Sequence, residues 1–384
     1  MIEARSFCET AKLAGFSLYT GVPCSYVKPF INYVIDAPDL TYIGATNEGD
    51  AVAIATGAEL GGKRAIVMMQ NSGLGNAVSP LTSLNAIFQI PVLLIVTLRG
   101  EPGGPHDEPQ HELMGQITTQ MLELMNVAWD WFPREESEVA GVLEKAFAHM
   151  TKTGLPFCLV MKKDSVAPHK LTSKPVARPT VTAPAQAPVA DLPKADRPSR
   201  QEALRAVQAT ARPDDVVIAT TGFTGRELYA CEDRHNQLYV VGSMGCASSI
   251  ALGLAWAQPN RRIVVLDGDG AMLMRMGALA TVGYERPGNL VHVLLDNEAH
   301  ESTGGQSTVT HSMDLPGVAR AAGYPSVETV TTAKELEDKL ANRSEGLRFV
   351  YLKTRHGVPD DLPRPKVTPR EVAGRIRKLT GGAA

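Results

Sequence analysis

Two residues with metal-binding side chains, Asp269 and Asn297, lie 28 positions apart in the second half of the sequence. Asp269 stands between two glycines directly after the apolar run 263–267, and Asn297 follows a second apolar run, residues 290–295. Side chains just beyond neighbouring parallel strands meet at the edge where open α/β sheets bind ligands. Carboxylate, amide and backbone carbonyl oxygens are ligands that Mg²⁺ prefers, often together with phosphate oxygens. The spacing therefore predicts a magnesium site.

The segment 263–306 contains the elements that would position this pair. Its β-branched first run predicts a buried parallel strand, the glycine turn leads into a predicted helix over 271–283, and residues 290–295 form a second strand. The glycines would let a ligand approach the backbone, and the helix N-terminus would favour a phosphate. The segment has no GKS or GKT and does not match GxGxxG. A tight turn with a capping Asp is the competing interpretation of GDG alone.

Glu48 is a further candidate, at the predicted start of a helix in the segment ATNEGDAVAIATG. An acid in the first turn is favoured by the helix dipole alone, so a structural role is one interpretation. The other is a carboxyl group that holds and donates a proton in a chemical step.

The chain has 384 residues, 44% of them hydrophobic, and a net charge of −3, which predicts two or three domains with ample core. This charge gives no reason to expect a nucleic-acid partner. The longest apolar run, residues 90–98, is too short to span a bilayer, and MIEARSF lacks the pattern of a signal peptide. Five cysteines without CxxC spacing indicate a reducing compartment. We expect a cytoplasmic protein with no membrane partner.

The predicted elements divide the chain into two α/β domains, residues 1–167 and 199–384, each with a doubly wound parallel sheet. A Pro- and Ala-rich stretch, residues 168–198, is typical of a linker. The halves look like copies, because residues 48–67 parallel residues 244–264, and Asn71-Ser72-Gly73 falls where Gly268-Asp269-Gly270 falls. Chance similarity between two α/β domains is the competing explanation. Strands are predicted at 16–19, 41–44, 65–69, 91–98, 157–161, 216–220, 238–241, 262–266, 291–295 and 348–352.

The GDG turn and the segment DNEAHESTGGQ together resemble the motif of thiamine-diphosphate enzymes, and more narrowly that of phosphonopyruvate decarboxylases and their sulfopyruvate relatives. TGVPCS, QNSGLGN and DEPQH resemble further segments of these decarboxylases. The family usually has Asn-Asn where this chain has Asp296-Asn297, but the liganding position is the second. The resemblance covers nearly the whole chain except the linker. It implies a first domain for the aminopyrimidine ring of the cofactor and a second for its diphosphate.

The resemblance also implies which residues hold the metal and the cofactor. Asp269, Asn297 and the backbone carbonyl of Ala299 would bind Mg²⁺, and Met244 would lie between the two rings of thiamine diphosphate and keep it bent. Plain strand–helix turns or a helix N-cap are the competing interpretations of the turns at Thr221 and Ser243. The implied cofactor-binding residues are Thr221, Gly222, Gly242, Ser243, Met244, Gly268, Gly270 and Ala271.

For Glu48 the resemblance implies a catalytic role. A Glu followed by Gly-x-Ala on this helix hydrogen-bonds N1′ of the pyrimidine ring in the family, and so promotes loss of the thiazolium C2 proton. Six polar residues at predicted strand ends are candidates for contacts with the substrate, with ordinary loop roles as the alternative: Ser25, Asn71, Arg99, His111, His300 and Ser302. His292 lies in mid-strand, where we expect a packed side chain.

We therefore expect a thiamine-diphosphate- and Mg²⁺-dependent carboxy-lyase that converts 3-phosphonopyruvate to phosphonoacetaldehyde and CO2, as in phosphonate biosynthesis. Sulfopyruvate decarboxylation is the alternative within the family. A non-catalytic binding or regulatory protein of the same fold is the alternative of another class, and the joint presence of Glu48, Asp269 and Asn297 argues against it. The family further implies a homodimer or higher homo-oligomer with active sites shared between chains.

Overall fold

The computed structural model describes residues 1–174, 178, 180 and 191–382. The chain forms two compact units, Met1–Ala177 and Arg178–Ala384. Part of the predicted linker 168–198 lies outside the described residues, and the predicted domain boundaries stay predictions. No helix in the described parts of the chain is long and apolar enough to cross a membrane.

The first unit is built on a six-stranded parallel sheet with the strand order β2-β1-β3-β4-β6-β5. Its strands are β1 Phe16–Gly21, β2 Thr41–Gly44, β3 Arg64–Gln70, β4 Leu93–Thr97, β5 Ala128–Trp131 and β6 Phe157–Met161. Its helices are α1 Ala4–Leu13, α2 Lys28–Asp36, α3 Glu48–Leu60, α4 Leu74–Pro80, α5 Ala86–Phe88, α6 Glu112–Leu124 and α7 Val139–Thr153. Strands β4 and β6 are buried along their whole length, which explains their continuous apolar sequences.

The helical stretch from Leu74 to Phe88 is irregular. A π-helical turn, Leu81–Asn85, separates α4 from α5 directly after Pro80. Proline has no backbone N–H to donate, and its ring crowds the preceding turn, so the regular hydrogen-bond pattern is interrupted there.

The second unit has a six-stranded parallel sheet with the order β13-β14-β10-β9-β7-β8. A two-stranded antiparallel hairpin, β11 and β12, follows β10. The strands are β7 Val216–Ala219, β8 Gln237–Tyr239, β9 Ile263–Gly268, β10 Leu290–Asp296, β11 Ala299–His300, β12 Gln306–Ser307, β13 Ser326–Val330 and β14 Arg348–Lys353. The helices are α8 Arg200–Thr210, α9 Phe223–Cys231, α10 Ala247–Ala257, α11 Asp269–Met274, α12 Gly277–Glu285, α13 Leu315–Ala321, α14 Ala333–Ala341 and α15 Pro369–Thr380.

The two large sheets share one topology. If the six strands of each large sheet are numbered in chain order, leaving out the hairpin, the first sheet has the order 2-1-3-4-6-5. The second sheet, read from β8 to β13, has the same order. The similarity of the halves in sequence therefore extends to the path of the chain. Both units are doubly wound α/β sheets, which confirms the predicted fold class.

One prediction of secondary structure is wrong, and two strands were missed. The single helix predicted over 271–283 is two helices, because Arg275 leaves the helical region with φ −132° and ψ 49° and ends α11. Strands β5 and β13 were not predicted. Both lie at the edge of their sheets and are only partly buried, so their sequences lack the continuous apolar run of a central strand.

Candidate active site

The carboxyl ends of β9 and β10 lie side by side in the second unit. Leu295 pairs with Gly268, so the residues that follow, Asp269 on one strand and Asn297 on the other, emerge at the same edge of the sheet. An open pocket lies there. The predicted site residues that line it are Thr221, Gly222, Met244, Gly268, Asp269, Gly270, Ala271, Asn297, Ala299, His300 and Ser302.

The Asp269 carboxylate is 4% exposed and is held by hydroxyl groups. Thr308 Oγ1 donates to Asp269 Oδ2 at 2.6 Å, and Thr310 Oγ1 lies 3.4 Å from the same oxygen. Burial and the negative charge of Asp296 raise the pKa of Asp269 to about 6, against the lowering effect of the Thr308 hydrogen bond. A cation beside this carboxylate would relieve both unfavourable effects.

Asp296, which stands where the family has Asn, supports the turn after β10. It is fully buried and accepts hydrogen bonds from Tyr351 Oη at 2.6 Å, from Thr310 Oγ1 at 3.0 Å and from the Glu298 backbone N–H at 2.9 Å. Its carboxylate is therefore used for hydrogen bonds inside the protein, and Asn297 is the residue that lines the pocket.

The turn from Asn297 to Ala299 lines the same pocket as Asp269. The Ala299 backbone N–H donates to Asn297 Oδ1 at 3.2 Å. Between them, Glu298 has a positive φ of 61° and pairs with Arg197 at 2.9 Å and Lys353 at 3.1 Å. Burial raises the pKa of Glu298, but the hydrogen bonds from Arg197 and Lys353 outweigh it and lower this pKa to about 2. These ion pairs fix the turn.

The pocket fits a magnesium ion with a phosphate group. A Cβ at Gly270 would lie 2.5 Å from His300 Cε1, so the absence of a side chain at position 270 allows the His300 ring to pack against this turn. The donor set of one carboxylate, one amide oxygen and one carbonyl suits Mg²⁺. No group of three or more His, Cys, Asp and Glu residues that could hold a metal occurs in the described residues.

The turn at 242–245 has an unusual backbone. Gly242, Ser243 and Gly245 all have positive φ, at 65°, 41° and 87°, and a non-glycine residue in this region carries strain that commonly marks a functional turn. Helix α10 begins only at Ala247, so Ser243 is not its N-cap. Met244 lines the Asp269 pocket, whereas Gly242 lines an adjacent pocket that also contains Thr221 and Gly222.

Glu48 is the first residue of α3 in the first unit, and its side chain is half-buried. Asn47 caps the helix by accepting the Gly49 N–H at 2.8 Å. Asn76 Nδ2 donates to Glu48 Oε2 at 2.8 Å. The Glu48 side chain lies so close to Gly73 that a Cβ at position 73 would overlap it. The segment QNSGLGN therefore positions this carboxyl group.

The four predicted substrate residues of the first unit come together. Arg99 Nη1 donates to Ser25 Oγ at 3.4 Å, and Asn71 Nδ2 donates to the Arg99 carbonyl at 2.9 Å. His111 Nδ1 lies 3.0 Å from Asp107 Oδ1, and the Asp107 carboxylate also pairs with Arg99. Asn71 is fully buried, so its amide supports the Arg99 backbone.

Sequence reasoning missed Asp107 and Gln70 in this cluster. Gln70 Nε2 lies 3.2 Å from His111 Nε2, and Gln70 Oε1 accepts from Cys24 Sγ at 3.4 Å. The segment DEPQH contained the signal, since Asp107 precedes His111 by four positions. Its distance in sequence from Arg99 concealed the link.

His292 lies fully buried in β10, as expected for a packed side chain. Its ring centroid is 5.1 Å from that of Phe349, and Nδ1 lies 3.0 Å from Tyr324 Oη.

Comparisons with known proteins identify relatives of both units. Residues 4–121 match the family described as thiamine pyrophosphate enzyme, N-terminal TPP binding domain, and residues 218–353 match its C-terminal TPP binding domain. A phosphonopyruvate decarboxylase from Streptomyces viridochromogenes is 44% identical over 94% of this chain and 91% of its own. A sulfopyruvate decarboxylase subunit beta from Methanothermobacter thermautotrophicus is 41% identical over 44% of this chain and 89% of its own.

A solved benzoylformate decarboxylase from Polynucleobacter necessarius shares the fold, with a TM-score of 0.68 at 14% identity over 92% of this chain and 99% of its own. Both family models fall on the two units whose strand ends carry Glu48 and Asp269. With a full-length relative at 44% identity as well, the chain belongs to the thiamine pyrophosphate enzyme family.

Proposed function

We propose that this protein decarboxylates 3-phosphonopyruvate to phosphonoacetaldehyde and CO2, with thiamine diphosphate and Mg²⁺. The observation that carries the proposal is 44% identity to a phosphonopyruvate decarboxylase across nearly the full length of both chains. A sulfopyruvate decarboxylase from Methanosarcina acetivorans that covers 96% of this chain is only 27% identical to it, which favours the phosphonate.

The second unit would hold the metal and the diphosphate. Asp269, Asn297 and the Ala299 carbonyl are the proposed Mg²⁺ ligands, since they line one pocket and only one of them carries charge. The proposed cofactor contacts are Thr221, Gly222, Gly242, Ser243, Met244, Gly268, Gly270 and Ala271. When bound, thiamine diphosphate supplies the electron sink for the decarboxylation.

Glu48 would hold the proton that activates the cofactor. Its carboxyl group would donate to the pyrimidine N1′, and the hydrogen bond from Asn76 together with the close contact to Gly73 keeps it in one orientation. A fixed donor loses little freedom when the ligand binds, which is how positioning contributes to catalysis.

The anionic substrate needs hydrogen-bond donors. Arg99 and Ser25 would supply them from the first unit, with Asn71 supporting the Arg99 backbone. His111 would act indirectly, since its ring nitrogens face Asp107 and Gln70. His300 and Ser302 would supply them from the second unit, where both line the Asp269 pocket.

Product analysis with two substrates tests this function. The purified protein, loaded with thiamine diphosphate and Mg²⁺, should form CO2 and phosphonoacetaldehyde from 3-phosphonopyruvate, with a kcat/KM well above that for sulfopyruvate. A reversed preference would support sulfopyruvate decarboxylation instead. Bound cofactor with neither product would support a non-catalytic binding protein.

We further propose a homo-oligomer in the cytoplasm, in which Glu48 of one chain serves the metal site of another. Support for assembly comes from the relative whose name describes it as a subunit beta. Support for two distinct half-sites comes from the position of Glu48 in one unit and of Asp269 in the other.

A further inference from the structure

The Asp107 carboxylate accepts hydrogen bonds from two side chains and two backbone N–H groups. Arg99 donates to it through both Nε, at 2.7 Å, and Nη2. The backbone N–H groups of Gly100 and Glu108 donate at 3.2 and 2.8 Å, and His111 Nδ1 lies at 3.0 Å. The Arg99 guanidinium, ahead of the other donors, holds the pKa of Asp107 well below its ordinary value. Asp107 is therefore an ionised acceptor at the centre of the loop 99–111.

Glycines fold this loop back on itself. Gly100 has a φ of +73°, and a Cβ there would overlap the His111 carbonyl. Gly115, on α6, lies against the Gly100 carbonyl so closely that a Cβ would overlap it too. These contacts bring both ends of the loop together, and Asp107 joins Arg99 to His111 across the gap.

The Arg99 guanidinium is fixed in one orientation. Asp107 accepts hydrogen bonds from Nε and Nη2 of Arg99. Arg99 Cζ lies 4.9 Å from the centre of the Tyr26 ring, and Arg99 Nη1 donates to Ser25 Oγ. A guanidinium held by a carboxylate on one edge presents its other edge as a rigid donor pair.

His111 is oriented in the same way. Asp107 accepts from Nδ1, which leaves Nε2 facing the Gln70 amide at 3.2 Å. The side chain is 7% exposed, so its position depends on these partners.

Ser25 also belongs to a neighbouring pocket that Arg99 and Asp107 do not line. Ser25 lines a pocket with four lysines and one aspartate, and Glu101 pairs with one of these lysines, Lys162, so the balance stays positive. The charged residues of the lining are Lys28, Lys162, Lys163, Asp164 and Lys170. A multiply charged oxyanion is the ligand that such a pocket favours.

We propose that Asp107 is the positioning residue of an anion-binding subsite formed by Arg99 and Ser25, with His111 holding Asp107 in place, and that this subsite takes the phosphonate group of the substrate. The identity of the anion rests on the proposed function. Asp107 itself contacts no substrate; it fixes the donors that do.

The direction in which Asp107→Asn changes anion affinity distinguishes a positioning role from a simple effect of charge. Asp107→Asn removes a negative charge next to Arg99, so the field alone would tighten anion binding. Positioning predicts weaker binding, because the Asn amide group opposes the N–H donors of Arg99 and His111 and releases both.

The experiment titrates methylphosphonate into the full-length holoenzyme by calorimetry and measures KM and kcat with 3-phosphonopyruvate. Asp107→Asn should raise the methylphosphonate Kd and the substrate KM about tenfold, as expected for lost charge-assisted hydrogen bonds, with a smaller change in kcat. Inhibition by pyruvate, which lacks the phosphonate, and thiamine diphosphate affinity should stay within about twofold of wild type. Asp130→Asn is the matched control, because Asp130 pairs with Lys145 away from this cluster.

Arg99→Lys provides a second variant should Asp107→Asn fail to fold, since it keeps the charge but loses the two-pronged contact. It should weaken methylphosphonate binding to a similar degree. Unchanged or tighter binding in the folded variants would overturn the proposal, and so would a wild-type holoenzyme that does not bind methylphosphonate. Failure of the proposed function is distinguishable, because wild type would then bind methylphosphonate but form no CO2 from 3-phosphonopyruvate.

Discussion

Glu48 shows how neighbouring residues turn a helix-dipole acid into a candidate proton donor. Gly73 leaves room for its side chain, and Asn76 holds one carboxyl oxygen. We expect Glu48→Gln to bind thiamine diphosphate but to slow exchange of the cofactor's C2 proton by about a hundredfold or more, because an amide cannot relay the proton. Exchange is measured by NMR on the quenched, loaded protein.

Glu59→Gln is the control for this prediction, since Glu59 lies near the other end of α3 and accepts the Ala65 N–H. It should exchange C2 protons at the wild-type rate. Wild-type exchange in Glu48→Gln would reduce Glu48 to a first-turn acid that stabilises its helix.

Single residues differ in how well the sequence predicts where their side chains lie. Asp269 and Asn297 were predictable because each follows a buried apolar run, and parallel strands end at a common edge. Asp107 was not, because its role depends on a glycine-closed loop that joins it to Arg99. No periodicity in the sequence encodes that closure.

At the scale of elements, the neighbouring ends of β9 and β10 bring two acidic side chains, Asp269 and Asp296, close enough for electrostatic repulsion. The folded-state pKa of Asp269, about 6, exceeds its unfolded value. Its contribution to stability is therefore fully present below pH 4 and is lost as the pH rises through about 6. In the absence of metal and cofactor, ionised Asp269 should cost roughly 2 to 3 kcal/mol at pH 8.

Asp269→Asn should consequently raise the Tm of the cofactor-free protein more at pH 8 than at pH 5, as measured by calorimetry in EDTA. It should also abolish the stabilisation that Mg²⁺ and thiamine diphosphate give the wild type. Asp360→Asn, at an exposed position, should do neither. A Tm difference independent of pH would contradict the assigned role of burial at Asp269.

Elements differed in how well the sequence predicted them. Central strands such as β6 have the predicted bounds, because burial on both faces requires an unbroken apolar run. Edge strands β5 and β13 and the break between α11 and α12 were missed. These features depend on sheet position and on the conformation of Arg275, which local sequence patterns do not specify.

At the scale of the whole molecule, two units with one topology carry different chemistry at equivalent strand ends. The segment after β3 supports Glu48, and the segment after β9 begins with Asp269. Since β3 and β9 are each the third strand of their unit, the proposed acid–base residue and the proposed metal ligand lie at corresponding places in two units of one topology. Neither unit alone contains both.

This division makes the proposed sharing between chains testable by complementation. Glu48→Gln and Asp269→Ala should each be inactive alone. If sites form between chains, a mixed dimer holds one intact site and one doubly damaged site, so random subunit exchange should restore about a quarter of wild-type activity. Native mass spectrometry verifies the exchange, and a mixture of Glu48→Gln with Glu48→Gln/Asp269→Ala is the control that should stay inactive. Verified exchange without recovered activity would contradict sites shared between chains.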